Sequence, residues 1–147
     1  MTQIIQAGLL SASSRSIHPW EFIVVKDKDM LRHLSECRTG AAWMLAGADA
    51  AIVVIANAEV SDVWIEDSSI AMANMHLMAD SLGIGSCWIQ GRLRTATSTD
   101  SGTASITTED YVRECLSFSG RYKLEAILSL GMPAEEKTPA ETFKASI

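Results

Sequence analysis

The sequence predicts one domain in which strands alternate with helices, and three observations carry that prediction. The chain has 147 residues, 48% of them hydrophobic and 20% charged, enough to bury one real core. The run Ala51–Ala56 (AIVVIA) is apolar throughout, the pattern of a strand covered on both faces. The stretch from Val63 to Leu82 is apolar almost all round at helical spacing, the pattern of a central helix or of one lying against a second subunit. Alternation of this kind, taken alone, favours a parallel sheet.

The elements follow in order. Ile4, Ile5, Leu9 and Leu10 place an amphipathic helix at the start. A hydroxyl-rich loop, SASSRSIHPW, then leads into a strand at Phe22–Val25. His18 precedes Pro19 and is expected to be extended. Asp29 to Arg38 reads as a helix with Met30, Leu31, Leu34 and Cys37 on one face, and Ala41–Leu45 as a further helical turn. Ser61 or Asp62 is placed to cap the long helix, Glu66 and Asp67 suit its dipole, and Gly83 is a natural stop. Gly85–Gln90 is a third strand, Glu109 to Leu116 a helix and Leu124–Leu130 the last strand. Leu93 to Asp110 is rich in Ser, Thr, Gly and Asp and reads as a long loop. No repeat or second domain is visible, so residues 1–147 form a single domain.

Several function classes are excluded. A net charge of −6 argues against nucleic acid and anionic membranes as partners. Cys37, Cys87 and Cys115 are odd in number and lack C-x-x-C spacing, which suits a reducing compartment. No run reaches the ~20 apolar residues of a membrane span, and Thr2 and Gln3 stand where a signal peptide carries positive charge. A cytoplasmic protein is expected. GIGSCW contains G-x-G, but it follows a helix and opens a strand, the reverse of the dinucleotide fingerprint. No P-loop and no hydrolase elbow occurs. The pairs His33/Cys37 and His76/Asp80 have i, i+4 spacing but no matching second pair, so no metal site is expected. His76 and Asp80 read as a polar pair. Phosphate binding without a P-loop remains open, since Ser13, Ser14, Arg15 and Ser16 supply hydroxyls and a cation, and Arg92, Arg94 and Lys137 follow strands.

Three ordered segments decide among these. SASSRSIHPWEFIVV resembles the S-P-S-S-x-N-x-Q-P-W signature of the FMN-dependent nitroreductase family. WIEDSSIAMANMHLMADSLGIGSCWIQ resembles that family's W-x-x-D…A-x-x-N-x-x-L-x-A…L-G-L-G-S-C-W block, and YVRECL and LSLGMPAEEK resemble its closing pieces. The resemblance implies an α+β fold, a mixed central sheet flanked by helices in an intertwined homodimer, with FMN at the subunit interface. It implies an NAD(P)H oxidoreductase: hydride passes ping-pong through flavin N5 to an electron-poor small molecule such as a nitroaromatic or quinone, with no catalytic side chain and no metal. By the same resemblance Ser13, Ser14 and Ser16 contact the flavin from one subunit. Gly83 and Gly85 let backbone approach the ring, an N–H near Ser86 or Cys87 donates to it, and Lys137 pairs with the phosphate. The family's opening Arg-Arg-Ser-x-Arg segment has no counterpart here, leaving Arg15 and Arg92 as substitutes, and Ser16 and His18 replace the signature Asn and Gln. Those departures carry the alternative of a non-catalytic dimeric relative that binds flavin weakly or holds another small ligand.

Overall fold

Among the described residues four strands form one sheet in the order β1-β2-β4-β3: β1 (Trp20–Val25), β2 (Ala50–Asn57), β3 (Gly85–Gln90) and β4 (Tyr122–Gly131). The computed structural model describes residues 1–96 and 105–135. All three pairings are antiparallel, which corrects the parallel arrangement that alternation alone favours. The reason lies in burial. β2 is buried along its length except at Asn57, and β4 is buried from Leu124 to Leu130, because helices cover both faces. A doubly covered antiparallel strand reads like a parallel one in its sequence.

Helix α1 (Thr2–Leu9) and α3 (Trp64–Ser81) pack on one face, α2 (Lys28–Leu34) and α4 (Thr108–Leu116) on the other. Ile52, Val54, Ala126 and Leu128 meet Ile4, Met72, Met75 and Ala79 on the first side. On the second, Ala51, Val53, Ile55 and Ile127 meet Leu31, Leu34 and Val112. This α+β layering agrees with the expected fold class. Gly8 lets α1 approach closely, for a Cβ there would lie 2.9 Å from Met75 and Phe22 atoms.

Element ends are set by local chemistry. Asp27 caps α2 by accepting from Met30 N at 2.8 Å. The helix stops at Leu34, short of the predicted Arg38, as the backbone tightens: Glu36 N donates to His33 O and Cys37 N to Leu34 O, both at 3.1 Å. Cys37 is nonetheless buried. Neither predicted cap serves α3, whose N-cap is Val63 without a side-chain bond. Its other end behaves as predicted: Gly83 has φ +70, and Gly83 N to Asp80 O and Ile84 N to Ala79 O, both 2.9 Å, form a Schellman motif. The first helix is only partly amphipathic in use, with Ile4 buried but Leu9 54% and Leu10 85% exposed.

The β2–β4 register shifts between Val54 and Ile55, which pair with Ala126 and Leu124, so Glu125 occupies a bulge. Its carbonyl accepts from Gly91 N at 3.2 Å and Arg92 N at 3.0 Å. Its carboxyl is buried, with Oε1 3.5 Å from Ser69 Oγ and Oε2 without a partner among the described residues. Burial pushes this carboxyl's pKa up, against the opposing pull of Arg92, Gln90 and Ser69. The folded state therefore holds a proton that the unfolded chain gives up near the ordinary carboxylate value. Stability is full below that value and falls as pH rises toward the raised one. Thermal melts of Glu125→Gln are expected to show an advantage over the parent that grows from about pH 4 to about pH 8. An advantage equal at both pH values would contradict this reading.

Candidate functional site

The serine loop is tied down at several points. Ser11 Oγ donates to Ala7 O at 2.8 Å and accepts from Asn74 Nδ2 at 2.8 Å, joining α1, the loop and α3. Ser14 N donates to Asp67 Oδ1 at 2.7 Å, and Asp67, buried on α3, also accepts from Ser61 Oγ at 3.2 Å. Ser13 Oγ accepts from His18 N at 2.9 Å. Between these anchors Arg15, Ser16 and His18 all have left-handed backbone, at φ 53, 53 and 50. That conformation costs a non-glycine residue about 1 kcal/mol or more, so the anchors impose it. His18 is thus not extended, which corrects the expectation drawn from Pro19. Arg15 is engaged with Asp62 at 2.6 Å, both exposed, so it is already paired, and the bridge adds little stability. Pro19 and Trp20 enter the core as expected.

The second cluster starts where α3 ends. Ser86 Oγ lies 2.6 Å from His76 Nδ1, so the polar partner of His76 is a serine of β3. Gly85, Ser86 and Cys87 border a shallow cleft of about 280 Å³ with Met44, Gly47 and Pro133. Both glycines have reasons internal to the chain. Gly83 supplies the left-handed turn, and a Cβ on Gly85 would lie 3.2 Å from Gly131 O.

Asp67 and His76, which hold the two clusters, are nine residues apart on α3 (76 − 67). That is about 13.5 Å along the axis and about half a turn around it. Ile70, 45% exposed, Ala73 and Leu77, 66% exposed, form an apolar strip on the arc between them, flanked by the exposed Glu66 and Asp80 and by Ser69 and Asn74. A single chain therefore displays the serine loop and the Ser86 cluster on opposite edges of an exposed apolar strip and does not gather them in one pocket.

Arg92 belongs to neither cluster. It lines a larger cleft of about 740 Å³ between the end of β3 and the start of α4, together with Trp64, Arg94 and Arg113. Lys137 lies outside the described residues. Among the described residues no group of His, Cys, Asp or Glu is arranged to hold a metal, and no helix is long and apolar enough to cross a membrane. Burial pushes the Cys37 thiol up to about 12 and raises Cys115 as well, which makes both poor nucleophiles. Sequence reasoning overlooked Asp67, Asn74 and His76 as organisers of the site. A carboxylate in the helical stretch that buries Ser68, Ala71 and Met72 is the signal that points to Asp67.

Comparison with known proteins accords with this architecture. A model described as the nitroreductase family matches residues 30–132. A candidate NADH dehydrogenase/NAD(P)H nitroreductase of Archaeoglobus fulgidus is 36% identical over 144 residues, 92% of this chain and 73% of that protein. The structure of an FMN-dependent nitroreductase from Clostridium difficile R20291 matches with a TM-score of 0.87 at 45% identity, covering 95% of this chain and 78% of that one. A candidate NADH dehydrogenase/NAD(P)H nitroreductase from Parabacteroides distasonis ATCC 8503 matches with a TM-score of 0.82 at 29% identity, over 97% of this chain and 79% of that one. With more than half its length matched and its sheet and helices shared with these structures, the chain belongs to the nitroreductase family.

Proposed function

We propose that this chain is an FMN-dependent oxidoreductase that takes hydride from NAD(P)H and delivers it, ping-pong, to an electron-poor small molecule such as a nitroaromatic or quinone, working as a homodimer. The observation that carries the reading is the placement of the two polar clusters on either edge of the apolar strip of α3. If two copies press these strips together, the serine loop of one is brought toward the Ser86 cluster of the other.

The donor set fits the cofactor. Serine hydroxyls at Ser13, Ser16 and Ser86 suit a polar ring edge and ribityl chain, and the Ile70–Leu77 strip suits a flat apolar face. Gly85, Ser86 and Cys87 provide main chain on the second side, and Lys137 is the proposed cation for the phosphate. Bound FMN supplies a reversible hydride carrier, which no side chain in this protein provides. The chain's own residues bind and orient: the anchored loop holds its hydroxyls in fixed positions, and the paired strips exclude water. His76 Nδ1 and Ser86 Oγ hold each other by a hydrogen bond at the rim.

An absorbance spectrum after FMN addition and desalting, read beside the molar mass in solution, tests the proposal. A yellow dimer that oxidises NAD(P)H with a nitroaromatic or quinone is expected. A colourless dimer that takes up no FMN would instead favour the non-catalytic relative.

A further inference from the structure

The larger cleft has no role in that arrangement, and its charges are unevenly used. Four cationic side chains line it, Arg92, Arg94, Arg113 and Lys123, against the acidic Glu109 and Asp110. Both acids are occupied: Glu109 bridges Arg113 at 2.7 Å and Lys123 at 3.3 Å, and Asp110 bridges Arg113 at 2.6 Å. Asp110 also accepts from Thr107 Oγ1 at 2.6 Å. Arg92 and Arg94 form no ion pair among the described residues. Glu125 is a carboxyl that Arg92 influences, but no ion pair joins the two among the described residues. A net positive recess thus stands in a chain of net charge −6. Its volume of about 740 Å³ suits a nucleotide rather than a bare anion. Trp64, half-buried in its wall, offers a ring for a base to stack on.

We propose that this cleft receives the adenosine-phosphate end of the hydride donor, and that Arg92 and Arg94 select a donor carrying a 2′-phosphate, NADPH over NADH. The identity of the ligand as a hydride donor rests on the oxidoreductase reading above. Two guanidinium groups without an ion pair among the described residues match a phosphate monoester, which offers a dianion and several acceptor oxygens. The 2′-hydroxyl that NADH carries at the same place gives them nothing to neutralise. Arg113 is fixed by its two acids and by its bond to Tyr122 O at 3.1 Å, so it shapes the recess more than it discriminates.

The test uses the full chain loaded with FMN and titrated calorimetrically with adenosine 2′,5′-bisphosphate and with 5′-AMP. The parent is expected to bind the bisphosphate about tenfold more tightly or better, the effect of one good charge-assisted contact. Arg94→Ala should bring that ratio close to unity, Arg94→Lys should restore part of it, and the NADPH-to-NADH ratio of kcat/KM should fall in parallel. Arg94 is exposed, so its variants are expected to fold, and a thermal melt checks this. Equal binding of the two nucleotides by the parent overturns the proposal. So does an equal weakening of both by Arg94→Ala, which would mean a diffuse field, or loss of FMN with the ratio intact, which would mean a flavin-phosphate site. Nucleotide binding does not need the flavin. A protein that prefers the bisphosphate yet never retains FMN sinks the oxidoreductase reading and the donor's identity while the phosphate preference of the cleft stands; a yellow, active enzyme without the preference sinks this inference alone.

Discussion

Asp67→Ala is expected to cost about 3 kcal/mol and to strip most of the bound flavin, because one buried carboxylate holds the serine loop on α3. Asp67 accepts from Ser14 N at 2.7 Å and from Ser61 Oγ at 3.2 Å while itself only 3% exposed. A hydrogen bond to a charged group contributes about 1.5–3 kcal/mol, and a backbone N–H left unpartnered adds a similar penalty. For a chain of this size the melting temperature should drop by roughly 10 °C. Release of Ser14 also removes the restraint that holds Arg15 and Ser16 at left-handed φ, so the loop hydroxyls lose their fixed positions. Asp67→Asn keeps an acceptor for Ser14 N and should fall between parent and alanine variant. Ser61→Ala breaks only the longer bond and should change little. Melting temperature and flavin retained after desalting are the two readouts. An alanine variant that melts within about 2 °C of the parent would refute the anchoring role.

Elements whose signals are local were legible in the sequence. The capping aspartate of α2, the glycine that ends α3 and the unbroken apolar run of β2 each depend on neighbours a few residues away. Strand direction was not, since β4 joins β2 across about 70 residues of chain and both strands are buried on either face. The resemblance to a known family supplied the α+β class that periodicity could not. The bulge at Glu125 also left no trace, because a buried glutamate in an apolar run looks like an error in the pattern until its backbone partners are seen.

The candidate site was legible in the same uneven way. The hydroxyl-rich loop stood out by composition, and Ser86 and Cys87 by position after a glycine turn. What the loop is fastened to did not, because Ser14 and Asp67 are 53 residues apart. Asp67 carried a plausible local explanation, favourable charge in the first turn of α3, which hid its tertiary one. His76 was matched with Asp80 on spacing, whereas the strand that follows α3 delivers Ser86 to it. In each case a short-range account satisfied the residue, and only the packed chain supplied the stronger partner.

Leu77→Glu is the most direct challenge to a two-chain site. Leu77 is 66% exposed at one end of the Ile70–Leu77 strip, with Ile70 at 45%, so in an isolated chain the change touches no core contact and folding should be unaffected. In the proposed dimer the new carboxylate is buried between the two strips without a counter-ion, at a cost of about 3–5 kcal/mol. That weakens self-association by roughly two to four orders of magnitude. Sedimentation should then report a monomer with the parent's melting behaviour at low concentration, and flavin should be lost with the dimer although no residue of the serine loop or the Ser86 cluster has changed. Leu77→Met, which keeps the surface apolar, should retain both. A glutamate variant that remains dimeric and yellow would place the subunit contact elsewhere and remove the reason for assigning one cofactor to two chains. A variant that turns monomeric yet keeps its flavin would show that one chain suffices.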